Sequence, residues 1–222
     1  MLGHSHALSG AAAGLAVGTL ILHEHAGPLA LLTALTSAYA LAPDLDSCGS
    51  TAARSLGFAT RIIARGVRAV SGGHRHGTHS LLGTAAFTAM AWAACHWRHD
   101  WPGRVLLALV LIAGLTAASD ALRLGHTGNL LGLGTAAVMA VGGFGLALVP
   151  VAAAGGCAVH IAGDMLTRTG CPLLWPATLR DFWLLPRRAR FSTGHATEKW
   201  LVTPLLLAVL GWLAWRAAGG MT

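Results

Sequence analysis

His160 and Asp164 stand at i and i+4, so on a helix both side chains project from one face. A neutral imidazole one turn before a carboxylate is a chelating pair for a divalent metal. Inside an apolar stretch, two ionisable groups also demand a partner, an ion or a polar cavity. Four other motifs supply matching donors. His4 and His6 open the chain, and Asp44 and Asp46 follow Pro43. His74 and His79 flank Arg75-His76-Gly77-Thr78, and Glu198 lies near the end. Of the eight acidic residues, four (Asp44, Asp46, Asp164 and Glu198) belong to this set. Two carboxylates two residues apart after a proline can each serve a different ion or bridge a pair, as in two-metal hydrolytic sites.

Each motif also has a plainer reading. Asp44-Leu45-Asp46-Ser47 is a helix stop followed by an N-cap, and Thr78 or Ser80 caps the helix after it. His160 hydrogen-bonds to Asp164, and Glu198 pairs with Lys199 or a loop arginine. Metal binding gains its weight from the set taken together. His76 is an optional further ligand. His126 and His195 have no spacing partner, and His23, His25, His96 and His99 read as solvated interface residues. None of Cys48, Cys95, Cys157 and Cys171 forms a CxxC pair, so no disulfide framework is expected.

The elements that must position these donors are apolar helices. The chain is 55% hydrophobic and 10% charged, with a mean hydropathy of +0.62. Soluble domains carry about 25% charged residues, so the composition excludes a compact soluble enzyme. The expectation is an all-α, polytopic membrane helix bundle of about six or seven spans, forming one domain over residues 1–222. Its metal site lies at the cytoplasmic end. The spans read as Ala7–Leu22, Leu29–Ala42, Ser80–His96, Val105–Leu122, Leu130–Val149, Val151–Leu166 and Leu201–Trp215, with a reversal at Pro150. The first reads as a retained helix and not as a cleaved signal, for it lacks a basic leader. Ser55–Val70 alternates apolar and basic residues at helical spacing, which suits a helix lying flat on headgroups. Gly10, Gly14 and Gly18 make a small-residue face that permits packing within the chain or between copies in a homo-oligomer.

Loop charge sets the orientation. With the N-terminus inside, all but Arg98, Arg104 and Arg216 of the fifteen Lys and Arg fall in inner loops. The net charge of +7 then faces anionic lipid. No nucleic-acid module accompanies it, so no nucleic-acid partner is expected.

Several motifs resemble the YdjM-like family of predicted membrane-bound metal-dependent hydrolases, over nearly the whole chain. They are His6-Ala-Leu-Ser-Gly, Pro43-Asp-Leu-Asp, Gly73-His-Arg, Thr78-His-Ser-Leu-Leu, His160-Ile-Ala-Gly-Asp-Met-Leu-Thr, Gly170-Cys-Pro-Leu-Leu-Trp-Pro, and Gly194 with Glu198. His76 departs from the pattern, standing where the family has Gly. The order of ligands is also similar to that of zinc phospholipase C and P1-type nucleases, an analogy that points to phosphoester chemistry.

The resulting expectation is a hydrolase of the inner membrane that cleaves a phospholipid or lipid-linked phosphoester with a metal-activated water. His6, Asp44, Asp46, His74, His79, His160 and Asp164 would hold two or three divalent ions. His-plus-carboxylate ligation favours Zn²⁺ and admits Mn²⁺ or Fe²⁺. Asp46 or Glu198 would take the proton, and Arg75 with Thr78 or Ser80 would bind phosphate oxygens. The competing readings are a metal-ion transporter or sensor without hydrolysis, which needs a ligand path across the bilayer, and a membrane-associated nuclease.

Overall fold

The computed structural model describes residues 1–219. Its regular elements are helices, α1 Gly3–Leu20, α2 Ala26–Tyr39, α3 Thr51–Arg54, α4 Phe58–Val70, α5 Leu81–His96, α6 Trp101–Ala121, α7 Gly125–Gly142, α8 Leu148–Met165 and α9 Thr203–Ala217. Strand pairing among the described residues is confined to two isolated bridges, Thr167 with Phe191 and Cys171 with Phe182. These order the long segment between α8 and α9. Among the described residues, four segments are long and apolar enough to cross a membrane: Ala26–Asp46, Trp101–Ala121, Leu148–Met165 and Glu198–Ala217.

The apolar side chains of these helices divide between a core and an unpartnered outer surface. Leu32, Leu35, Leu107, Leu111, Met139 and Val149 pack in the centre. Leu130, Leu131, Val138 and Val141 of α7 are exposed, as are Leu205 and Leu207 of α9. Apolar surface on this scale is what a lipid-facing helix presents and a soluble monomer avoids.

Small residues set how closely the central helices approach. A Cβ added at Gly10 would stand 2.6 Å from the Thr36 carbonyl oxygen, and one at Gly14 would stand 2.8 Å from that of Leu32. The glycine face of α1 is therefore used within the chain, against α2. Ser37 Oγ donates to the Ala7 carbonyl at 2.9 Å and ties the same pair of helices. Gly156 of α8 approaches α2 from the other side, at the same Thr36–Ala40 turn. The centre of the bundle is thus α2 held between α1 and α8.

Pro150 is not the reversal expected from the sequence. It sits in the first turn of α8, where its missing N–H is no loss because first-turn amides have no helical acceptor. The chain turns earlier, at Gly143 and Gly145, whose φ angles of 75° and 69° suit glycine alone at little strain. The amphipathic stretch is α4. Phe58, Ile62, Ile63 and Val70 are exposed on it beside Arg61, Arg65 and Arg68. Asp44 and Asp46 lie in a 3₁₀ turn, Pro43–Asp46, directly after α2. A second 3₁₀ turn, Gly77–His79, leads into α5, whose cap is Ser80 accepting from Gly83 N at 3.1 Å.

Candidate metal centre

The donors converge where α1 and α8 meet the two 3₁₀ turns. His79 Nε2 and His160 Nε2 face each other at 3.2 Å. Asp44 Oδ1 is 3.6 Å from the first and 3.9 Å from the second. Asp164 Oδ2 is 3.8 Å and 3.9 Å from the same two atoms. Ligands about 2.0–2.2 Å from a tetrahedral ion stand about 3.3–3.6 Å from one another. Each carboxylate therefore stands at or a little beyond the upper end of that spacing from both imidazoles, and the four side chains together make a cage.

Hydrogen bonding fixes the ring tautomers and decides what the cage can hold. His160 Nδ1 lies 2.7 Å from the Ala40 carbonyl oxygen, which only accepts, so Nδ1 carries the proton. The Thr78 hydroxyl donates to Asp46 Oδ2 at 2.7 Å, so its oxygen is left to accept from His79 Nδ1 at 2.9 Å. With both rings neutral, the Nε2 atoms are then bare lone pairs, pointed at each other and flanked by two carboxylates. That juxtaposition is repulsive without a cation between them. His6 reinforces the demand. Its ring stacks on His160 at 3.7 Å, and Nε2 is 3.2 Å from Asp164 Oδ1 without the alignment of a hydrogen bond. Both His6 nitrogens, Asp164 Oδ2 and Arg75 Nε are buried without hydrogen-bond partners. Buried polar atoms are normally satisfied; four of the unsatisfied ones fall on these three residues, the others being at Ser5, Thr19, Ser119 and Asn129. The donor set fits a divalent ion.

Among the described residues, three groups of possible ligands have donor atoms within 4.8 Å of one another: His6, His160 and Asp164; Asp44, His79 and His160; and Asp44, Asp46 and His74. His160 joins the first two groups and Asp44 the last two, so the expected ligands form one connected cluster. They are not equally free. Asp46 Oδ1 accepts from His74 Nδ1 at 2.7 Å, and Oδ2 accepts from Arg75 N at 2.8 Å as well as from Thr78. The Asp46 carboxylate raises the His74 pKa by favouring the imidazolium. Both side chains thus stand behind the cage, and Asp46 reaches His79 through Thr78. Such outer partners orient a ligand and fix its tautomer.

Glu198 lies elsewhere. Its oxygens accept from Leu2 N at 2.6 Å and Gly194 N at 2.7 Å, so it ties the start of α1 to the segment ahead of α9. This replaces the expected pairing with Lys199 or a loop arginine. His160 likewise bonds Ala40 and not Asp164. Arg75, in the left-handed region at φ 63°, brings Nη2 to 3.2 Å from Asp164 Oδ2. The Met1 amino group pairs with Asp164 Oδ1. Of the expected phosphate-binding trio, Thr78 is committed to Asp46 and His79. Ser80 Oγ donates to the Gly77 carbonyl at 2.6 Å while capping α5. Only Arg75 faces the cage. His76 turns to the Gly72 carbonyl, and His4 belongs to none of the three groups.

The apolar helices agree with the comparison by family. A model of the YdjM inner membrane protein family matches residues 1–222. The chain belongs to that family. No curated protein and no solved structure matches it. Membership places this member of the YdjM family in a membrane, in accord with its apolar helices.

The Ala40 carbonyl and the backbone amides of Leu2 and Gly194 carry no side-chain signature, so spacing could not have revealed their parts. Thr78 was visible, but its task as a bridge between Asp46 and His79 depends on the tertiary contact. Removing that bridge should be measurable. Thr78→Val should weaken metal affinity about 10–100-fold, and Thr78→Ser, which keeps the hydroxyl, should stay near wild type in a competitive chelator titration.

Proposed function

We propose that the chain is a metal-dependent hydrolase of the inner membrane that cleaves a phosphoester at the cytoplasmic leaflet. The observation carrying this reading is the facing pair of bare imidazole nitrogens, His79 and His160, enclosed by Asp44 and Asp164. Histidine with carboxylate favours Zn²⁺, with Mn²⁺ and Fe²⁺ as the other candidates. When bound, the ion would supply a Lewis acid and an acidified water.

The chain's own groups take the remaining parts. Thr78 and Asp46 hold the His79 ring. Arg75 presents a guanidinium at the edge of the cage, where it would grip phosphate oxygens in a bidentate manner. Asp46 and Glu198, expected as proton acceptors, have every carboxylate oxygen engaged. His6, whose ring nitrogens are free beside Asp164, takes that role in this reading. Asp44 is the one member of the four-donor cage with any exposure, 20% against 0% for the other three, so substrate enters past it.

Seven helices (α1, α2 and α5–α9) would cross the bilayer, with the N-terminus and the cage inside. The arginine-rich inner loops and the amphipathic α4 support that orientation. Transport fits less well, because the ligand groups found among the described residues form one connected cluster and not a series of separate sites across the bilayer.

The test is hydrolysis of phosphatidic acid and of polyisoprenyl phosphates by the full chain in nanodiscs. Phosphate release should stop with chelator and return with Zn²⁺. Arg75→Gln should raise KM or lower kcat by about tenfold or more with metal content unchanged. Metal-loaded protein inert toward every phosphoester, yet passing Zn²⁺ into vesicles, would reverse the assignment.

A further inference from the structure

Asp44, the partly exposed member of the cage, lines a pocket of about 270 Å³. Its walls are Leu2 and Gly3 at the start of α1, Leu41, Asp44, and the segment 49–52 with Arg54. Asp44 is therefore shared: its carboxylate borders the pocket, and Oδ1 lies within 4 Å of both cage imidazoles.

The rest of the wall suits an anion. Among the described residues Arg54 has no carboxylate partner, in a molecule whose buried acids all have cationic or hydrogen-bonding neighbours. Ser50 Oγ accepts from Ala53 N at 3.1 Å and keeps its own proton to donate. The Thr51 hydroxyl lines the same wall. An unpaired guanidinium and two hydroxyl-bearing residues thus share a wall with Asp44, the partly exposed member of the four-donor cage.

We propose that this pocket is the subsite for the phosphate group that the substrate brings to the cage, held by Arg54, Ser50 and Thr51. The inference rests on the hydrolase reading above and adds residues that reading does not use. Location favours a lipid as the source. Arg54 is followed within four residues by α4, whose Phe58, Ile62 and Ile63 are exposed beside Arg61 and Arg65. That composition belongs at the headgroup layer of an anionic leaflet.

The experiment uses the full chain in nanodiscs of zwitterionic lipid, loaded with Zn²⁺, with metal content measured by mass spectrometry. Labelled inorganic phosphate is the probe, in equilibrium dialysis. Arg54→Gln should lose at least about tenfold in phosphate affinity, the scale of one charged hydrogen bond. Arg54→Lys should recover part of it, and Arg61→Gln, outside the pocket, should stay within about twofold. Zinc content should be unchanged in all three. Phosphatidic acid added to the discs should displace the probe if the source is a lipid headgroup; retention of the probe assigns the pocket to a soluble phosphate. Metal-loaded Arg54→Gln that binds phosphate like wild type overturns the subsite, as does an equal loss in Arg61→Gln. Failure of the wild type to take up zinc strikes instead at the hydrolase reading.

Discussion

Asp164→Asn should strip the metal from the protein while leaving its helices in place. Asparagine keeps the shape of the side chain and adds donors, but it removes the charge that faces both Nε2 atoms at 3.8 and 3.9 Å. Asp164 also neighbours His6, Arg75 and the Met1 amino group, so it is the most heavily used anion of the centre. Its loss should exceed the ~10–100-fold typical of an outer partner. Zinc in the purified variant should fall to background. His160→Ala should do the same, since His160 belongs to two of the three ligand groups. His74→Ala and Glu198→Gln are the informative contrasts. The first side chain stands behind Asp46, and the second is bonded to backbone amides away from the cage, so both variants should keep their zinc.

Thermal stability gives an independent readout. A ligand that binds only the folded state stabilises it by about 2.7 kcal/mol at 100 times its Kd. Wild type should therefore melt lower after chelation and recover with Zn²⁺. Asp164→Asn should melt at one temperature under both conditions. A variant that retained full zinc and full sensitivity to chelator would remove the cage from consideration.

What could be read beforehand follows the physics of each signal. The i, i+4 spacing of His160 and Asp164 depends only on helix geometry, and both residues do lie on α8. The helical stretches were equally legible, because apolar runs bounded by Gly, Pro or charge leave few alternatives. The error at Pro150 has a simple cause. Proline ends a helix when it falls inside one but opens a helix when it falls at the start, and only the glycines at positive φ nearby decide between these. The ligand list was legible as a set of residue types, not as a ranking. Asp44 and Asp46 are chemically identical in sequence; their difference lies in what surrounds them. Asp46 meets Thr78, Arg75 N and His74, whereas Asp44 meets bare imidazole nitrogens. Glu198 looked catalytic because acids are scarce in this chain, and the amides that occupy it are contributed by residues far away in sequence.

Gly156→Ala should damage the metal centre without touching a ligand. An added Cβ would stand 2.7 Å from Ala40 N, Thr36 O and Tyr39 Cβ, and two of those atoms are backbone that cannot swing aside. Overpacking of this kind costs about 1–3 kcal/mol. The displacement matters more than the energy, because Ala40 accepts from His160 Nδ1 and Asp44 lies four residues further along the same segment. Gly156 is itself one helical turn before His160. Pushing α8 away from α2 should therefore loosen the His160 tautomer lock and spread the donors, lowering zinc affinity and melting temperature together. Gly10→Ala should act in the same way from the α1 side, one turn beyond His6, where the added Cβ meets Thr36 O at 2.6 Å. Gly134→Ala provides the control: nothing beyond its chain neighbours and its own helix backbone lies within 4 Å of the added Cβ. There the loss of a mid-helix glycine should be neutral or stabilising by up to about 1 kcal/mol, with zinc affinity unchanged. If Gly156→Ala and Gly134→Ala bound zinc equally well, helix spacing would not be what sets the cage.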